Sequence, residues 1–259
     1  MTRPRIVSVA NQKGGVGKTT TTVNLATAMA AVQKRVLVLD FDPQGNASTG
    51  LGIGRSDRET NTYDLLMNEA TLDAAKIKTK IPGLDIVPSS VHLAGAELEL
   101  VQQDRREFRL SDALAAARGY DFVLIDCPPS LNLLTLNALC AADAVLVPLQ
   151  VEFYALEGLS HLVSTIERVR RAFNPSLEIL GVVLTMFDKR NNLSEMVEAD
   201  VRAHFGDKVY KTIIPRNVRV SEAPSHGKPV LLYDWRCAGS QAYIHLASEI
   251  LKRESGMAA

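Results

Sequence analysis

Cysteine is scarce in this chain: Cys127, Cys140 and Cys237 are the only three, an odd number without close-pair spacing. That excludes a disulfide framework and matches a reducing cytoplasm. Neither charge is in surplus, since 29 lysines and arginines balance 29 aspartates and glutamates. A nucleic-acid or membrane surface is therefore expected only as a local patch. No apolar run approaches the ~18 residues of a membrane-spanning helix, and residues 1–5 lead into an apolar stretch far too short for a signal peptide. Five scattered histidines, at 92, 161, 204, 226 and 245, show neither metal-ligand spacing nor pairing with a nucleophile. A soluble intracellular protein is the expectation.

What the chain does have is a series of short, continuous apolar runs at residues 6–9, 36–39, 122–125, 144–147 and 179–184. Such runs suit strands buried on both faces, and helical patterns separate several of them. The fold class expected is α/β, a mainly parallel twisted sheet with helices on both faces in one domain over residues 1–259. Residues 85–87 and 209–214 read as further strands. The clearest helix spans 155–173, with Leu159, Leu162, Val163, Ile166, Val169 and Phe173 on one stripe and Arg168, Arg170 and Arg171 on a solvated face. Residues 45–84 read as mobile loop apart from a helix at 63–68, and residues 89–118 as two helices ending at Gly119. The tail at 242–252 forms a short amphipathic helix that docks on the core, because it lacks the basic and bulky aromatic residues of a lipid anchor.

The chemistry centres on residues 10–22, Ala-Asn-Gln-Lys-Gly-Gly-Val-Gly-Lys-Thr-Thr-Thr-Thr, between the first strand and a helix. Strand, glycine loop and helix together make a phosphate cradle: glycines let backbone N–H groups converge, and the helix adds the positive end of its dipole. Gly14, Gly15, Val16, Gly17, Lys18, Thr19 and Thr20 form that cradle, a P-loop in which Lys18 supplies a full charge and Thr19 holds magnesium. Gln12 stands where the usual P-loop has its first glycine, and Lys13 lies inside the loop. Lys18 already neutralises the terminal phosphates, so Lys13 is expected to reach a phosphate from elsewhere. Asp40 and Asp42 lie two residues apart at a strand end, on the same side if the chain stays extended, so that one supports magnesium and the other orients the attacking water. Asp126 ends another apolar strand and reaches the magnesium through a coordinated water. Cys127, next to it, reads as a small packing residue.

These motifs, Lys-Gly-Gly-Val-Gly-Lys-Thr, Asp-Pro-Gln-Gly-Asn at 42–46, Asp-Cys-Pro-Pro-Ser at 126–130 and Pro-Arg-Asn-Val-Arg-Val-Ser-Glu-Ala-Pro-Ser-His-Gly at 215–227, closely resemble the ParA (Soj-like) ATPases of the ParA/MinD deviant-Walker superfamily. The resemblance runs from Ile6 to Leu251. It implies that Asp42 directs water and that Lys13 crosses a dimer interface to the partner's nucleotide. It further implies that Met186, Pro215 and Asn217 flank the adenine. Arg190 and Arg219, with Lys189 and Arg216 as lesser contacts, would bind DNA without sequence preference. ATP and Mg2+ are the implied cofactors. The implied partners are a second copy, double-stranded nucleoid DNA and a ParB-type centromere-binding protein that stimulates weak hydrolysis. With about ten residues before the P-loop, the chain resembles the short form that has no operator-binding helix-turn-helix. A MinD-like membrane-cycling regulator and an iron-cluster protein are the alternatives. The first would need a basic amphipathic tail, and the second cluster cysteines in a shared dimer interface, for which Cys127, abutting Asp126, is poorly placed.

Overall fold

The computed structural model describes residues 3–256. Seven strands form one sheet: β1 (Arg5–Val9), β2 (Val36–Asp40), β3 (Ile77–Lys78), β4 (Leu84–Val87), β5 (Phe122–Asp126), β6 (Ala144–Gln150) and β7 (Glu178–Thr185). Their order across the sheet is β3-β4-β2-β5-β1-β6-β7. Every pairing is parallel except the short β3 beside β4.

Strand periodicity sorts the apolar runs onto two faces. Val7, Val9, Val36, Val38, Leu124 and Leu146 pack under helix α1 (Lys18–Ala31) and the C-terminal helix Ala238–Glu254. Ile6, Leu37, Leu39, Val123, Ile125 and Val145 face the other layer, which holds helices Leu93–Leu100, Arg109–Leu114, Leu133–Ala141 and Ala155–Ala172. The C-terminal helix starts at Ala238, four residues before the expected 242, because the Cys237 thiol caps it by accepting from the Ser240 N–H at 3.4 Å. Its Tyr243, Leu246 and Ile250 are buried, so it docks on the core as expected.

Two expectations need correction. Residues 209–214 make only isolated bridges, Val182 with Val209 and Phe187 with Pro215. A ladder cannot continue between them, since the Lys211 and Thr212 N–H groups donate to the Glu249 carboxylate at 2.8 and 3.0 Å. The stretch 45–84 is likewise no unstructured loop. Besides the expected helix, found at Thr62–Met67, it carries helices Asn46–Gly50 and Leu72–Ala75. A buried arginine, Arg58, ties the first part together: its guanidinium donates to the Gly45, Ile53 and Ser89 carbonyls and to Thr49 Oγ1. Gly45 is required here twice over, by its φ of 65° and because a Cβ would collide with that guanidinium.

Parallel register brings the motif ends level. Asp126 pairs with both Val9 and Asp40, so the P-loop, the β2 end and the β5 end meet at one point of the sheet's carboxyl edge. The chain order reverses around β1, the place where open α/β sheets leave a crevice.

Candidate nucleotide site

The loop after β1 closes on itself before α1 begins. The Asn11 side chain accepts from the Lys13 N–H at 3.0 Å and donates to the Pro148 carbonyl at 2.8 Å, so the loop leaves the sheet at a fixed angle. Gly15 and Gly17 take left-handed φ values of 77° and 89°, which an L side chain rarely adopts. On the far side, Thr185 Oγ1 donates to the Val16 carbonyl at 2.9 Å, pinning the loop to β7. Sequence reading missed both Asn11 and Thr185. The first carried a legible signal, an Asn before a glycine loop; the second, 169 residues away, carried none.

Lys18 is buried, and its Nζ donates to the Lys13 carbonyl at 2.9 Å. Burial lowers its pKa, while the Asp126 and Asp42 carboxylates act the other way. Asp126 is fully buried, and burial followed by the nearby Asp40 raises its pKa well above the usual carboxylate range. Thr22 Oγ1 lies 3.3 Å from its Oδ1, yet Asp126 Oδ2 has no partner among the described residues.

Asp40 repeats the pattern. Its Oδ2 accepts from both the N–H and the hydroxyl of Ser48, at 2.7 and 2.6 Å, while Oδ1 is buried without a partner. Burial pushes this carboxyl up to about 6. Two adjacent buried carboxylates, each with an orphaned oxygen, form a site that a divalent cation or its waters would complete. Among the described residues no cluster of three His, Cys, Asp or Glu side chains could hold a metal alone. A magnesium ion bound here would therefore draw its other ligands from Thr19, phosphate and water, which is its usual habit.

Asp42 does not share Asp40's side through an extended chain, because β2 ends at Asp40. A turn follows instead: the Asp42 carboxylate accepts from the Gln44 N–H at 3.0 Å and its carbonyl from the Gly45 N–H at 2.9 Å. Asp42 is thereby only half-buried, and its charge reaches Lys18. Lys13 is also turned outward, paired with Glu152 of its own chain, a partner that sequence reading missed.

The second group of expected residues does converge on this loop. Met186, Pro215, Arg216 and Asn217 line a cleft of about 350 Å3 together with Gly17 and Thr20. Met186 holds a left-handed φ of 55° beside the Phe187–Pro215 bridge. Asn217 Oδ1 caps helix Val218–Glu222 by accepting from the Arg219 N–H, leaving its NH2 donors uncommitted.

Of the expected DNA-contacting arginines, Arg216 lines this cleft, while Arg190 and Arg219 do not. Arg190 forms a two-pronged pair with Asp188, which holds that carboxyl down at about 2. Arg219 pairs with Glu222 at 3.0 Å and Asp234 at 3.6 Å. Lys189 and Arg216 have no acidic partner within ion-pair distance among the described residues.

A family model described as an AAA domain matches residues 4–179. The chromosome partitioning protein ParA of Caulobacter vibrioides (strain NA1000 / CB15N) is 66% identical over 253 residues, covering 96% of this chain and 95% of its own length. The sporulation initiation inhibitor protein Soj of Bacillus subtilis (strain 168) is 53% identical over 247 residues, covering 95% and 98%. Among solved structures, cobyrinic acid a,c-diamide synthase from Mycobacterium smegmatis, with bound ATP analogue and magnesium, superposes with a TM-score of 0.85. It is 36% identical and covers 97% of this chain and 96% of its own. Motifs, sheet order and these relatives agree: the chain belongs to the ParA/Soj family of chromosome partitioning proteins.

Proposed function

We propose that the chain is a magnesium-dependent ATPase, a single ATPase domain over residues 1–259, that dimerises on ATP and binds DNA non-specifically to segregate it. The observation that carries this reading is the pair of orphaned buried oxygens, Asp126 Oδ2 and Asp40 Oδ1, beside the lysine at the start of α1. ATP bound as its magnesium complex would supply a labile terminal phosphoryl group. The helix start contributes about half a positive charge and Lys18 a full one, so together they oppose the charge that develops on the phosphate oxygens. Thr19 and Asp126 hold the cation, with Asp40 supporting its waters. Asp42, half-buried on the turn after β2, orients the attacking water. Asn217 donates to the base, and Met186 and Pro215 cover it.

A dimer is supported by the apolar side chains left in solvent beside Lys13 and Glu152. Phe153 and Tyr154 are 75% and 67% exposed and stack edge-on at 5.1 Å, a surface that favours coverage. In the dimer Lys13 exchanges Glu152 for a phosphate in the partner's site. Arg190 and Arg219 of two copies then line one surface, with Lys189 and Arg216 adding to it, and a ParB-type protein stimulates the weak hydrolysis. The work is done in the cytoplasm, on the nucleoid.

The membrane alternative finds less support. The apolar face of Ala238–Glu254, which such a regulator would lay on the lipid, is spent on the core. An iron cluster would need free thiols at an interface, whereas Cys127 and Cys140 are buried and Cys237 caps a helix. Removing the Lys18 charge tests the proposal at its centre. Lys18→Ala should weaken Mg-ATP binding by about 100-fold or more in a calorimetric titration, since a charge-assisted contact to phosphate is lost from a buried site. Wild-type affinity in a folded variant would refute the site.

A further inference from the structure

The opposite layer of the molecule carries a groove of about 780 Å3 that the nucleotide chemistry does not use. One wall is formed by Leu131, Asn132 and helix Leu133–Ala141, the other by the second half of helix Ala155–Ala172 with Phe173. The floor is apolar, with Leu136, Leu139 and Val169 along it. Arg168 and Arg171, read from sequence as a solvated face, stand on the rim. Arg170, between them in sequence, pairs with Glu167, but Arg168 and Arg171 have no acidic partner within ion-pair distance among the described residues. The rim's own acid, Glu107, is taken up by Arg106 at 3.0 Å. An apolar trough flanked by two uncompensated guanidinium groups is complementary to one kind of occupant, an amphipathic segment with an apolar stripe and acidic flanks.

Both walls also touch the nucleotide motifs. Thr135 on the first wall donates to the Ser130 carbonyl, at the end of the run that starts with Asp126. Thr165 on the second lies 3.5 Å from Gln12 of the P-loop. An occupant would therefore sit one residue contact from each.

We propose that this groove is a docking site for an acidic amphipathic helix of a partner protein. The arginines supply selection by charge and the trough supplies the buried area. This holds whether or not the ATPase reading does, because the test reads binding to the nucleotide-free chain.

The probe is a fluorescein-labelled 18-residue peptide with leucine at i, i+3, i+4 and i+7 and glutamate elsewhere, followed by fluorescence anisotropy with the full-length protein. A counterpart with lysine for every glutamate is run beside it. The acidic peptide should bind at least about tenfold more tightly than the basic one. The double variant Arg168→Glu with Arg171→Glu should reverse that preference. Ala172→Trp, which fills the trough without changing charge, should abolish binding of both peptides; thermal melting checks that each variant is folded. Equal affinity for the two peptides, or acidic-peptide binding unchanged by both variants, would overturn the proposal. Wild-type protein that sediments with phosphatidylglycerol vesicles but ignores the acidic peptide would give the groove to a lipid surface and equally overturn it.

Discussion

The carboxyl edge of β1, β2 and β5 and the arginine-bearing loops after β7 are built on opposite plans. At the first, Lys18, Asp40 and Asp126 are buried and held by short contacts from residues such as Ser48 and Thr22, with two oxygens left unpaired. At the second, the Arg190 and Arg219 side chains are 88% and 53% exposed and already balanced by acids of their own chain. A buried unpaired oxygen costs free energy until something binds it, so the first region declares its function within one chain. An exposed, balanced arginine costs nothing and gains little from a single phosphate, so under the proposed function the second region would act only when copies add up.

Kinetics of Asp42→Ala would sharpen the contrast most. The residue is half-buried on the turn after β2 and is not among the buried groups, so ATP binding and dimerisation should survive while turnover falls by about 100-fold. Wild-type turnover, measured with DNA and a ParB-type partner present, would move the water-directing role to Asp40.

Next in size comes Arg58→Ala. Its guanidinium serves four acceptors around the Asp42–Gly45 turn, and its loss strands them in a buried setting. The cost should be about 3 kcal/mol, a fall in Tm of about 6–12 °C for a chain of this size. An unchanged melt would mean that the turn holds itself.

Asp188→Ala should do the least. Freed from its carboxylate, Arg190 becomes available to phosphate, and DNA affinity should rise by about two- to fivefold with a steeper dependence on salt. Weaker binding would show that Asp188 positions the arginine and does not restrain it.

The same contrast explains what the sequence disclosed. Five buried strands and the P-loop were legible because their signals are local: apolar runs, a glycine loop and acids at strand ends. The failures at 209–214 and after Asp42 come from partners outside the local pattern, whereas the Asp42 turn is closed by its own neighbours. Residues 209–214 have the composition of a strand, but Glu249 captures their N–H groups. The segment after Asp42 looked loose because nothing nearby reveals that Arg58 folds back into it. Glu152, 139 residues from Lys13, likewise carried no local signal as its partner within the single chain. Met186, Pro215 and Asn217 were named through a family resemblance and not through any local pattern, and the structure does bring them to the P-loop's cleft.

If surface arginines act only when two chains combine, DNA binding must follow the nucleotide. The direct measurement is affinity for a non-specific duplex across a salt series with ATP, with ADP and without nucleotide. With ATP the account predicts tight binding whose logarithm falls with log salt at a slope of about −3.6 or steeper, for four or more phosphate contacts. ADP and the nucleotide-free chain should show weak binding with about half that slope. Equal affinity and equal slope in all three states would contradict it, because the arginines of one chain would then suffice.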